Sequence, residues 1–306
     1  MMGTVHSVLY CSIFCARKQI GKADPFNFEK TNDTSQLARD CRLLATASRS
    51  VGIIHGLHCH GTGFRVGSCY LATARHVIAP NATTEGTENS EINHDMVTSR
   101  NLFVEFEYMV PANNYDGDRY NFAKVCYEST FLDFIILEIK EKDRPLPPCP
   151  KFPPCLKISE IVTKNPAYLL GHPDLNPQKL DKIEYYKRDD VFLKKSKEFE
   201  HNCGYTGDSY LDIDKKGFTL IHTSFKSGAS GAPVIMTDVS SEEPAAVLMF
   251  LCGFPRFYYE NMEKFTKEDK KNFLIVERCV QLYPLLLDLK KQPEYQALAE
   301  DILGET

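Results

Sequence analysis

The chain has 306 residues, 43% of them hydrophobic and 25% charged, with a formal net charge of −5. That length buries a sizeable core in one large domain or two packed subdomains, and the mildly acidic balance offers no global basic field to a nucleic-acid partner. The longest apolar run covers only 245–254, well short of the ~20 residues a membrane-spanning helix needs, so no membrane partner is expected.

In chain order, the apolar patch VLYCSIFCA (8–16) lacks a preceding basic region and a small-x-small cleavage site, and is not read as a signal peptide. Eleven cysteines, without tight disulfide-like spacing, read as mostly reduced thiols of a nuclear or cytoplasmic protein. In that setting the sequons at Asn32 and Asn81 carry no meaning. Thr34 or Ser35 can cap a helix over 36–47, with Leu37, Cys41 and Leu44 on one face. Core packing is its expected use; self-association, and with it a homodimer, is the alternative. Residues 1–49 therefore form an N-terminal extension.

The period then changes. VGIIHGLHCHGTGFRVGSCYLATARHVI (51–78) consists of short apolar runs broken by glycines, a strand-and-hairpin pattern. NLFVEFEYM (101–109) and FLDFIILEI (131–139) read as further strands and complete a first β unit over 50–144. PLPPCPKFPPC (145–155) can be neither helix nor central strand and is read as a linker. AYLLGHP (167–173), GFTLIHTSF (217–225) and AAVLMFLCGF (245–254) supply strands of a second unit over 156–290. VERCVQLYPLLLDLK (276–290) is expected to close that unit as a helix despite Pro284, leaving 291–306 as a tail. The lysines of 179–197 alternate with Asp181, Glu184, Asp189 and Asp190, which predicts a solvated loop rather than a nucleic-acid patch. The resulting fold class is all-β, a pair of small barrels or sheets.

Three segments carry chemistry together. ATARHV places His76 after a strand and a small-residue turn, FLDFIILEI sets Asp133 in an apolar run, and KSGASGAPV holds Ser230 between glycines. A serine hydroxyl needs a base within hydrogen-bond reach, and the base needs an acceptor to fix its tautomer. Gly228 and Gly231 permit a sharp turn around Ser230, in which the Gly228 and Ser230 amides can hold a developing oxyanion. Each piece also has a plainer use: Gly-Ala-Ser-Gly as a turn, His76 as a strand-end partner, Asp133 as an edge charge. Their joint occurrence favours the catalytic reading.

These segments, in the order His, Asp, Ser, resemble the signatures of chymotrypsin-type serine proteases. More narrowly, ARHVI, LDFIILEIK, LLGHPDLNPQKLDKIEYY, FKSGASGAPV, CGFPRFYYEN and QLYPLLLDLK resemble the intracellular peptidase domain of the vertebrate "family with sequence similarity one hundred and eleven". The resemblance implies two packed six-stranded antiparallel β-barrels and peptide-bond hydrolysis through an acyl-enzyme, without a cofactor. Ser230 is then the nucleophile, His76 the base, Asp133 its support, and Gly228 and Ser230 the oxyanion hole. Ser224 becomes the floor of the pocket for the residue before the scissile bond, and Leu251, Cys252 and Gly253 its wall. A neutral floor favours a large apolar or aromatic residue there. Secreted trypsin-like enzymes carry an aspartate just before the serine; Ala229 stands there instead, so activation by a freshly cut N-terminus at SRSVGIIHG (48–56) is not expected. Family members carry long N-terminal regions linked to replication and single-stranded DNA, a role that does not transfer readily to this chain.

Among the remaining candidates, His55, His58, Cys59 and His60 form a compact group, for which structural use outweighs a metal site. His172 is expected to pack beside a turn, and Ser227 is a rival nucleophile flanked by glycine on one side only. Outside proteolysis, the alternatives are a catalytically silent binding module and a chromatin or replication adaptor built on the same fold.

Overall fold

The computed structural model describes residues 38–83, 91–107, 118–140, 145–152, 166–186, 194, 198, 217–225, 228–237, 243–254 and 275–304. The patch 8–16, the helix-capping residues Thr34 and Ser35, Asn32, most of 187–197 and Ser227 lie outside them.

The first unit is a closed barrel. Strands β1 (Val51–His55), β2 (Gly61–Val66), β3 (Tyr70–Ala74), β4 (Phe103–Phe106), β5 (Asp118–Ser129) and β6 (Phe134–Ile139) pair antiparallel in the order β1-β2-β3-β6-β5-β4. Short runs rich in β-branched and aromatic residues suit this pleated, enclosed surface. Ile54, Phe64, Leu71, Val104, Phe106, Tyr120 and Ile136 are all buried within one core cluster. β3 runs directly into the one-turn helix α2 (Arg75–Ile78) and a 3₁₀ turn, Ala79–Asn81. The short helix α3 (His94–Val97) follows, capped by the Asn93 side chain.

The second unit departs from the expected six strands. It is a seven-stranded sheet in the order β8-β7-β11-β12-β13-β10-β9. Its members are β7 (Ala167–Gly171), β8 (Lys179–Lys182), β9 (Glu184–Tyr186), β10 (Phe218–His222), β11 (Pro233–Met236), β12 (Ala245–Phe254) and β13 (Val276–Gln281). β8 and β9 come from the stretch expected to be a charged loop. They occupy the two sheet edges, where charged side chains can face water and discourage further strand pairing.

Other expectations are also corrected. The helix expected over 276–290 is half strand: β13 pairs with β10 and β12, and only α4 (Leu282–Lys290) is helical. Pro284 falls in the first turn of α4, where its missing N–H has no intrahelical partner to lose. The expected tail contains a further helix, α5 (Gln296–Leu303). The N-terminal helix α1 (Ala38–Ser48) buries Leu43, Leu44 and Ala47, while Cys41 is exposed. Leu44 and Ala47 join the main core. The described part of the linker, residues 145–152, makes defined contacts. The buried Arg65 guanidinium donates to the Pro147, Tyr70, Gly67 and Ser68 carbonyls, and Lys151 bridges to Ala245.

Candidate active site

His76 sits in α2, the single helical turn that β3 enters. Asp133 does not lie within a strand, as its apolar neighbours suggested. It closes the turn before β6, with φ at +52°. Aspartate tolerates this left-handed backbone better than most residues, and the turn aims its carboxylate at α2. One oxygen accepts the His76 backbone N–H at 2.9 Å and the other meets Nδ1 at 2.6 Å. The Asp133 carbonyl also accepts the Arg75 N–H at 3.1 Å. A carboxylate at Nδ1 fixes the tautomer that leaves Nε2 as the acceptor, the state a general base requires.

Ser230 lies on the loop between β10 and β11. Gly228 and Gly231 both have φ at +88°, a region closed to ordinary L side chains. A β-carbon at Gly231 would lie 2.0 Å from the Thr62 carbonyl oxygen and 3.1 Å from Ala74 N, so the loop is pressed against the strand that leads into α2. Every carbonyl of 228–230 is turned into the protein. Gly228 accepts the Thr62 hydroxyl at 3.0 Å, Ala229 accepts the Ala232 N–H at 2.9 Å, and Ser230 accepts the Thr62 N–H at 2.8 Å. Among the described residues the Gly228 and Ser230 amides donate to no acceptor, as an oxyanion hole requires. The Ser230 hydroxyl donates to the Leu251 carbonyl at 2.9 Å. The structure thus joins His76 to Asp133 and sets the Ser230 loop against the start of α2, with the hydroxyl turned to β12. Ala229 is fully buried among apolar side chains, and Val51 is buried in β1.

Ser224 is exposed, and its N–H donates to Asp181 Oδ2 of β8 at 2.5 Å; the Thr223 hydroxyl takes the same oxygen. Leu251 is buried, while Cys252 and Gly253 are half-buried on β12. Gly253 pairs in register with the buried Glu277. Glu277 accepts the Thr223 N–H at 3.1 Å. Position in sequence gave no signal for either acid behind this segment.

The His55, His58, Cys59 and His60 group is organised by Asn81. The Asn81 side chain accepts the His58 and Cys59 amides and donates to the Cys59 and Val77 carbonyls. Read from sequence as a sequon, Asn81 is buried and serves as the clamp between this loop and the helix of His76. Burial, then His60 and Arg119, pulls His55 down to about 4, so its 3.2 Å approach to Glu105 is that of a neutral imidazole. Among the described residues no group of three or more His, Cys, Asp or Glu side chains is arranged to hold a metal ion. His172 is fully buried beside the 3₁₀ turn Pro173–Leu175, with Nδ1 donating to the Asn176 carbonyl at 3.2 Å. Burial holds His172 near 4 against that opposing bond.

The sequence profile of the trypsin-like peptidase domain matches residues 61–240, more than half of the chain and inclusive of His76, Asp133 and Ser230. The chain belongs to the trypsin-like peptidase domain family. The matched residues fall in both antiparallel β units, the closed six-stranded barrel and the seven-stranded sheet. Among solved structures, the chain is similar to the inactive form of the Rv3671c protease, at 15% identity and a TM-score of 0.47 over 83% of this chain and 94% of that one. It is similar to a Ser-to-Ala variant of the same M. tuberculosis protein, also in an inactive form, at 15% identity and a TM-score of 0.47 over 83% and 90%. No curated protein matches the chain.

Proposed function

We propose that the chain is an intracellular serine endopeptidase acting through Ser230, His76 and Asp133. The observation that carries this reading is the two-oxygen grip of Asp133 on His76, beside a serine loop whose carbonyls are all tied back. In the reaction the Ser230 hydroxyl leaves the Leu251 carbonyl and turns to His76 Nε2. Ser230 Oγ attacks the peptide carbonyl as Nε2 takes its proton, and the Gly228 and Ser230 amides hold the oxyanion. His76 then protonates the departing amine, and water, deprotonated by the same imidazole, releases the acyl group. Thiols at the seven described cysteines agree with a reducing compartment, nuclear or cytoplasmic. The narrower kinship to the "family with sequence similarity one hundred and eleven" rests on the segments quoted above.

For the residue before the scissile bond we infer a large apolar or aromatic side chain, received by Ser224, Leu251, Cys252 and Gly253. Ser224 is neutral, and the nearby Asp181 oxygen already accepts two donors. Labelling by a fluorophosphonate probe tests the enzyme: the wild type is labelled and Ser230→Ala is not. A folded wild type without labelling refutes it and favours a silent binding module, the reading that the Leu251-bound hydroxyl supports. A peptide library cleaved after Lys or Arg would overturn the pocket assignment.

A further inference from the structure

Thr62 stands at the crossing of three segments, and every polar atom it has is engaged. It is fully buried on β2. Its hydroxyl accepts the His172 N–H at 3.1 Å and donates to the Gly228 carbonyl at 3.0 Å. Its amide donates to the Ser230 carbonyl at 2.8 Å, and its carbonyl accepts the Thr73 hydroxyl at 2.7 Å. One residue of the first barrel thus holds the carbonyls on both sides of the Ala229–Ser230 peptide unit. A β-branched side chain has few rotamers, so the direction of this hydroxyl is set by the strand itself. Ala229 is apolar and buried, and therefore no ion pair at that position orders the loop.

We propose that Thr62 is a positioning residue for the nucleophile loop, turning the Gly228 and Ser230 carbonyls inward so that the amides of the same two residues face the reacting carbonyl. This builds on the proteolytic reading above and adds a component to it. A peptide unit is planar, so holding the Gly228 and Ser230 carbonyls fixes the Gly228–Ala229 and Ser230–Gly231 units, and the Ala229–Ser230 unit between them, which carries the Ser230 N–H, is clamped from both sides. With the Gly228 carbonyl released, the flexible Gly228 backbone can rotate, and the oxyanion donors lose their common aim. The effect falls on the transition state, where charge develops on the substrate oxygen, and not on ground-state binding.

The test is Thr62→Val, which keeps the shape and deletes the hydroxyl, beside Thr62→Ser, which keeps the hydroxyl. The expected result for Thr62→Val is a fall in kcat of about tenfold to a hundredfold, less than or comparable to the loss of an oxyanion donor, with KM within about twofold. Thr62→Ser restores kcat to within a few-fold. Hydrogen–deuterium exchange supplies a readout independent of activity: the Gly231 and Ala232 amides, bonded to the Phe250 and Ala229 carbonyls, exchange faster in Thr62→Val than in the wild type. An unchanged kcat, a change confined to KM, or failure of Thr62→Ser to rescue overturns the proposal. If the wild type shows no turnover, the proteolytic reading fails and the exchange measurement alone decides the clamp: equal exchange in the two proteins refutes it. Should Thr62→Val not fold, Thr62→Cys, a much weaker hydrogen-bond donor, takes its place with the same expected signs.

Discussion

Gly231→Ala is the sharpest perturbation the nucleophile loop offers. Its φ of +88° disfavours any L side chain, at a cost of about 1–2 kcal/mol. The new methyl would also lie 2.0 Å from the Thr62 carbonyl oxygen and 2.2 Å from the Thr73 hydroxyl. Reaching ordinary contact requires a shift of roughly 1.5 Å against strand backbone, and such overpacking costs about 1–3 kcal/mol. That shift also breaks the 2.8 Å bond from the Gly231 N–H to the Phe250 carbonyl, worth about 1 kcal/mol. The total is about 3–6 kcal/mol, which lowers Tm by about 6–24 °C in a domain of this size. Gly304→Ala is the matched control: its φ is +71°, but nothing lies within 4 Å of the added methyl, so only the backbone cost of about 1–2 kcal/mol applies and its Tm falls by about 2–8 °C. Melting is followed by circular dichroism, since the chain has no tryptophan to report. Displacement of Ser230 by about 1 Å should also reduce turnover about a hundredfold. Equal melting of the two variants, or wild-type turnover in Gly231→Ala, refutes the packing argument.

Asp133→Asn keeps an oxygen for the His76 backbone N–H but presents an amide to Nδ1, which imposes the wrong tautomer. Turnover should fall by about 10⁴ while Tm stays close to that of the wild type; turnover near wild type rules out the assigned role. His172 makes stability depend on pH. Burial lowers it from 6.5 to about 4, so between those values the unfolded chain binds more protons than the folded one. Its contribution is complete above about pH 6.5 and is lost as pH falls toward 4, by about 3 kcal/mol in all. Melts at pH 7.5, 6 and 5 should show a shallower loss in His172→Gln than in wild type, with His55 supplying the remaining slope in the same window. A slope as steep in the variant as in the wild type sinks this account.

Local pattern carries some of this architecture and not the rest. The strands around Ile54, Phe64, Leu71 and Ile136 announce themselves because they are enclosed and glycine-punctuated. β8 escapes detection because KLDK is an edge strand, exposed at both ends of its four residues. VERCVQ reads as helix because its buried residues are not all apolar: Arg278 lies over the Phe218 and Phe254 rings and Glu277 accepts the Thr223 N–H. Such partners come from other strands and leave no local periodicity. For the same reason His76, Asp133 and Ser230 stand out as residue types in telling contexts, while Thr62 and Asn81 do not. Their chemistry is wholly in what the fold brings to them, across 166 residues for the Thr62–Gly228 bond and 22 for the Asn81–Cys59 bond.

Helix α5 has a consequence for the order of events during synthesis. Asp301 accepts the Ser68 N–H at 2.7 Å across a separation of 233 residues, beside the hairpin whose carbonyls Arg65 gathers. A nascent chain that has reached only residue 290 carries the whole first barrel but not the carboxylate that closes its β2–β3 turn. Contacts of such long range make folding slow. The first barrel is thus completed only after every strand of the second unit has been translated.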